Sequence, residues 1–168
     1  MSHLLPAWRG RRVLLACGTR EPPCAMHILL EEIGARPARV DICCGSETLC
    51  RALHAGRGIC MIVPELSVLL HLQPAAQLAA LATLLSEARE AGTPLVMLLA
   101  GRTDAHQEHM LTRLLSYADD FSHGLYGDPV SIQCIRHNGA LTRTVCLEAL
   151  AHGARYLLGD RAYTGILS

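Results

Sequence analysis

Apolar residues fall along this chain in blocks of two kinds, and the two kinds alternate. Short continuous apolar runs occur at 12–17 (RVLLAC), 58–63 (GICMIV) and 95–99 (LVMLL). Runs of this length read as strands buried on both faces of a parallel sheet. Residues 38–43 (ARVDIC) and 129–135 (PVSIQCI) suit two further strands. Between the strands, helical spacing predicts helices over 24–33, 74–91, 105–118 and 141–152, with a short one over 46–55 capped by Ser46. Gly34, Gly92 with Pro94, and Gly153 mark where three of them should stop. Residues 1–11 show no periodicity and read as an irregular N-terminal segment.

Strand and helix alternate through the chain with short connections. The pattern predicts a single α/β domain over 1–168, a three-layer Rossmann-like doubly wound parallel sheet of five or more strands. Ligands of such sheets lie beyond the carboxyl ends of the strands. The residues to weigh are therefore Gly18–Arg20, Asp41, Pro64–Glu65, Ala100–Thr103 and Arg136–Asn138.

Composition changes this picture mainly by what it removes. Lysine is absent, so all fifteen Lys+Arg positions are arginine. A Walker-type loop, a Schiff-base amine and a Tyr-x-x-x-Lys pair are excluded with it. The formal net charge is zero, and no basic excess points to nucleic acid. The longest apolar stretch, 59–85, is interrupted by Pro64, Glu65, His71, Gln73, Pro74 and Gln77. A membrane span needs about 20 uninterrupted apolar residues, so none is expected. Several of the eight cysteines sit inside apolar runs, and the N-terminal stretch MSHLLPAWRGRR has no long apolar run, so no secretory signal is expected. Core thiols in a reducing cytoplasm are the expectation. Cys43, Cys44, Cys50 and His54 lack any Cys-x-x-Cys pair, and His106 with His109 suits a polar helix face, so no metal is expected.

Four segments carry a family resemblance: Val13–Gly18, Val40-Asp41 with Ser46–Leu49, Ala79–Leu99, and Gly127–Ile132 through Arg136–Gly139. Their register resembles the extended short-chain dehydrogenases, which include nucleotide-sugar epimerases and dTDP-4-dehydrorhamnose reductases. The resemblance implies a Rossmann domain that holds NAD or NADP. The departures are substantial. Gly18 is followed by Thr19-Arg20-Glu21-Pro22-Pro23, without the second and third glycines that let a pyrophosphate approach. Tyr117 is the only tyrosine of the matching helix, and Phe121 stands where the lysine would be. The resemblance is thus to a degenerate, truncated relative. Thr93–Leu98 through Tyr117–Phe121 also looks like the fourth strand and helix of response-regulator receivers, whose phosphorylation residues are missing here. Strand order separates the two: 3-2-1-4-5 for the dehydrogenase half and 2-1-3-4-5 for the receiver.

The candidate binding residues follow. Gly18, Thr19 and Arg20 could meet an anionic ligand at a helix N-terminus, or form an ordinary strand-to-helix turn. Asp41 lies about 20 residues on, the spacing of a ribose-binding acid, or is a solvated carboxylate. Arg102 and Arg136 could converge on a phosphate or carboxylate, or be surface arginines. The helix over 74–91 is Ala- and Leu-rich nearly all round, which calls for burial on two sides. In the family the matching helix builds a dimer interface, so a homodimer through 74–91 is expected. Together these readings predict a non-catalytic or weakly active binder of a nucleotide or nucleotide sugar, acting as a dimeric accessory subunit. A pseudo-receiver interaction module and a reductase or epimerase with a non-standard active site are the alternatives.

Overall fold

The alternating apolar runs and helical stretches fold as a parallel sheet with helices packed on both faces. The computed structural model describes residues 5–16, 25–40, 58–63, 70–71, 73–92, 94–159 and 166–167. The strands are β1 (Arg12–Ala16), β2 (Arg36–Val40), β3 (Gly58–Val63), β4 (Leu95–Ala100), β5 (Ile132–His137) and β6 (Ile166–Leu167). The helices are α1 (Ala25–Glu32), α2 (Pro74–Ala91), α3 (Ala105–Ser122) and α4 (Arg143–Leu157), with a 3-10 turn at Leu5–Trp8. The predicted helix over 46–55 lies outside the described residues.

The described strands pair in the order β2-β1-β3-β4-β5-β6, every pair parallel. β3 therefore lies across β1 from β2. This is the 2-1-3-4-5 arrangement with a sixth strand added, and 3-2-1-4-5 does not occur among the described strands.

β4 is buried at all six positions, as its unbroken apolar run requires. Its alternating side chains feed two cores. Leu95, Met97 and Leu99 join Leu84, Leu85, Leu111, Leu114 and Phe121 beneath α2 and α3. Val96 and Leu98 join Leu29, Leu30, Cys146 and Leu150 beneath α1 and α4.

Several boundaries differ from the sequence expectation. Within the segment expected to be irregular, residues 5–8 form a 3-10 turn whose Trp8 is 1% exposed and donates from Nε1 to the Leu150 carbonyl at 2.7 Å. Gly153 does not stop α4. A Cβ there would stand 2.7 Å from Trp8 Cζ2, so the glycine lets the indole press against the helix. α3 continues past Asp119 and Asp120 because Phe121 returns to the core, 3% exposed. β2 begins at Arg36 rather than 38, its ladder with β1 starting at Arg12↔Arg36. β5 begins three residues later than 129. Pro129 has no N–H to donate, and the ladder with β4 starts at Leu95↔Ile132. Gly92 ends α2 as expected, in the left-handed region at φ 64°.

Candidate functional site

The carboxyl ends of β4 and β5 are tied together by one side chain. Arg136, the fifth residue of β5, turns its guanidinium onto the neighbouring backbone. Nη1 donates to the carbonyls of His137 at 2.8 Å and Gly101 at 3.1 Å, with a longer contact to Leu99 at 3.5 Å. Nη2 donates to Thr103 Oγ1 at 3.2 Å and to Glu108 Oε1 at 2.9 Å. The Thr103 hydroxyl in turn donates to the same Glu108 oxygen. From the other side, the Gly101 N–H is shared between the carbonyls of His137 and Gly139.

The local sequence explains why Thr103 and Glu108 meet there. Asp104 caps α3: its carboxylate accepts from Gln107 N at 2.8 Å, and the Gln107 side chain accepts from Asp104 N at 3.1 Å. This capping box fixes the entry of the helix and leaves Glu108, one turn in, beside Thr103. The Thr103 hydroxyl, followed by the Arg136 guanidinium, holds the Glu108 carboxyl below its ordinary range.

Arg136 is thus a brace for the strand ends, with both terminal nitrogens engaged. Arg102 is exposed and takes no part in the network among the described residues. Of the two arginines that could converge on an anion, Arg136 is engaged by the protein's own acceptors and Arg102 is exposed. The sequence reading reached Thr103 only as part of the Ala100–Thr103 strand exit and did not bring Glu108 to it. The Asp-x-x-Gln spacing at 104–107 was the available signal for the cap, but nothing local announces that an arginine from β5 will reach α3.

His137, next along β5, has Nε2 3.2 Å from the Ala140 carbonyl, so that nitrogen carries the proton. Its Nδ1 is buried. Cys134 lies lower on β5, and burial, then the Asp119 charge, pushes its thiol up to about 12. It stays protonated at neutral pH and is a poor nucleophile. Among the described residues no group of three His, Cys, Asp or Glu side chains could hold a metal ion, and no helix is long and apolar enough to cross a membrane.

Gly18, Thr19, Arg20 and Asp41 lie outside the described residues. The strands that precede them are described. β1 ends at Ala16, which pairs with Val40, the residue before Asp41. β1 also borders β3, which ends at Val63. Order reverses between these two strands, and ligands of doubly wound sheets bind beyond the carboxyl ends of the strands at such a point.

The outward side of α2 is small. Ala75 and Ala79 are exposed and Ala82 is half-buried, while Leu78 and Leu81 pack against the core beneath. Comparison of the chain with family models, with curated proteins and with solved structures finds no match in any of the three.

Proposed function

We propose that this chain is a Rossmann-like, non-catalytic binder of a nucleotide or nucleotide sugar, working as an accessory subunit. The observation that carries the reading is the reversal of strand order between β1 and β3. In doubly wound sheets that point takes phosphate-bearing ligands. The segment leaving β1 there is Gly18-Thr19-Arg20, a small residue followed by a hydroxyl and a guanidinium. Asp41 directly follows the part of β2 paired to β1 and suits a ribose hydroxyl.

The ligand should be a mononucleotide or a nucleotide sugar before NAD or NADP. The strand order is not that of the dehydrogenase half, and the loop lacks the glycines that admit a pyrophosphate. With no lysine, hydride-transfer chemistry of the Tyr-x-x-x-Lys kind has no proton relay here.

Isothermal titration with UDP-glucose, dTDP-glucose, NAD and NADP tests this. A sugar nucleotide should give heat and raise the melting temperature, and Arg20→Glu should abolish both. Absence of heat with all four would defeat the reading. It would leave the second one, a receiver-like interaction module acting without phosphate, which the 2-1-3-4-5 order favours.

A further inference from the structure

The two strands at one side of the sheet begin on arginine. Arg12 opens β1 and Arg36 opens β2, and the ladder between the strands sets these two residues opposite each other. β2 is the outermost described strand on that side. Arg9 and Arg11 lead into β1, and Arg39 continues the charge along β2. Five of the fifteen Lys+Arg positions thus lie at 9–12 and 36–39, although the formal net charge of the chain is zero.

The backbone holds these residues together. Arg36 N donates to the Arg11 carbonyl at 2.8 Å, and Gly10 N donates to the Gly34 carbonyl at 2.8 Å. Arg11 Nε donates to the Ala7 carbonyl at 2.7 Å, which fixes its stem. Gly34 lies against the Arg9 stem, since a Cβ there would stand 3.3 Å from Arg9 Cγ. Arg9 and Arg36 are exposed and form no ion pair among the described residues. The described carboxylates that precede β2 are engaged elsewhere, Glu31 by His27 at 2.7 Å and Glu32 by Arg143 at 2.9 Å. Like charges facing across a ladder repel, and carboxylates set against them relieve the repulsion.

The kind of anion follows from the same edge. Arg36 N points to β1, so Pro37 turns its backbone outward, where it has no N–H to offer. Addition of a further strand is thereby disfavoured, and recognition falls to the side chains. Trp8, the aromatic side chain of this corner among the described residues, is 1% exposed and gives stacked bases no platform. Arg36 and Arg39 stand three residues apart on β2, a spacing of about 10 Å that suits several carboxylates on one chain rather than one small anion. The planar guanidinium fork matches a carboxylate with two parallel hydrogen bonds.

We propose that the amino edge of β1 and β2 docks an acidic segment of a partner protein, with Arg9, Arg11 and Arg36 taking its carboxylates. Complementary charge of this kind steers encounter and sets register. The surface lies at the opposite edge from the strand ends at which a nucleotide is proposed to bind, so the two readings stand or fall separately.

Fluorescence anisotropy of a labelled octaglutamate peptide, titrated with the full chain, tests the proposal. Binding should weaken at least about tenfold between about 10 mM and about 150 mM salt, as the screening length falls from about 30 to about 8 Å. Arg9→Glu and Arg36→Glu should each weaken it at least about fivefold at low salt. Arg113→Glu, at an exposed position of α3, makes the same change of net charge and should leave the affinity within about twofold. Arg9 and Arg36 are exposed, so circular dichroism melts of their variants should match wild type. Arg9 lies outside every strand, so its variant carries the test if Arg36→Glu fails to fold. No anisotropy change at low salt overturns the proposal, as does equal weakening by Arg113→Glu. Tighter binding of a labelled oligothymidylate of the same length also overturns it, in favour of a nucleic-acid surface.

Discussion

Glu108 receives two hydrogen bonds at one oxygen, from Thr103 and from Arg136, and both favour its ionised form. Its folded-state pKa therefore lies below the ordinary 4.5. A carboxylate depressed in this way stabilises the fold fully above the unfolded value, and the contribution is lost as pH falls through the folded value. Urea unfolding of wild type and Glu108→Gln should differ by a constant amount near neutrality, and the difference should shrink once pH falls below about 4.5 and vanish only below the lowered folded-state value. The effect should be small, because the carboxylate is 51% exposed and water screens it. Gly153 makes the opposite kind of test, one of volume. Gly153→Ala would place a methyl 2.7 Å from Trp8 Cζ2 and 3.3 Å from Val96 Cγ1. Overpacking of this sort costs about 1–3 kcal/mol, although alanine is the better helix former by up to about 1 kcal/mol. A lower urea midpoint with unchanged m-value is expected, with Trp8 fluorescence altered.

α3 shows how an element can be written in sequence and still be placed by distant residues. Its start is local: Asp104 and Gln107 satisfy each other's backbone N–H groups. Asp104→Ala should lower stability by about 1 kcal/mol, read from chemical denaturation, and Asp104→Ser should recover most of it. Its end is not local. The helical spacing was read only to 118, yet the helix runs on to Ser122, and Phe121 enters the core. β5 gives the same lesson in reverse. Its apolar pattern begins at 129, but a strand exists only where a neighbour can bond to it, and β4 meets it from Ile132. Helix α2 needed no such help. Pro74 at its start and Gly92 after its end bound it as the sequence reading expected.

At the scale of the molecule, the chain by itself determined the α/β class, the parallel character of the strands and the two-sided burial of β4. These follow from alternating periods and unbroken apolar runs, which are properties of neighbouring residues. Strand order was not legible. The same succession of strands and helices serves 3-2-1-4-5 and 2-1-3-4-5 alike, because the choice lies in which side of β1 the third strand packs, a contact between segments far apart in sequence. The fate of the arginines was undecided for the same reason. Arg136 stands inside β5 and Arg102 two residues past the end of β4, and only the tertiary structure brings the carbonyls of Gly101 and His137, with Glu108, around Arg136 and leaves Arg102 in solvent. A guanidinium goes to the acceptors that folding places within reach, and the one-dimensional pattern carries no record of those distances.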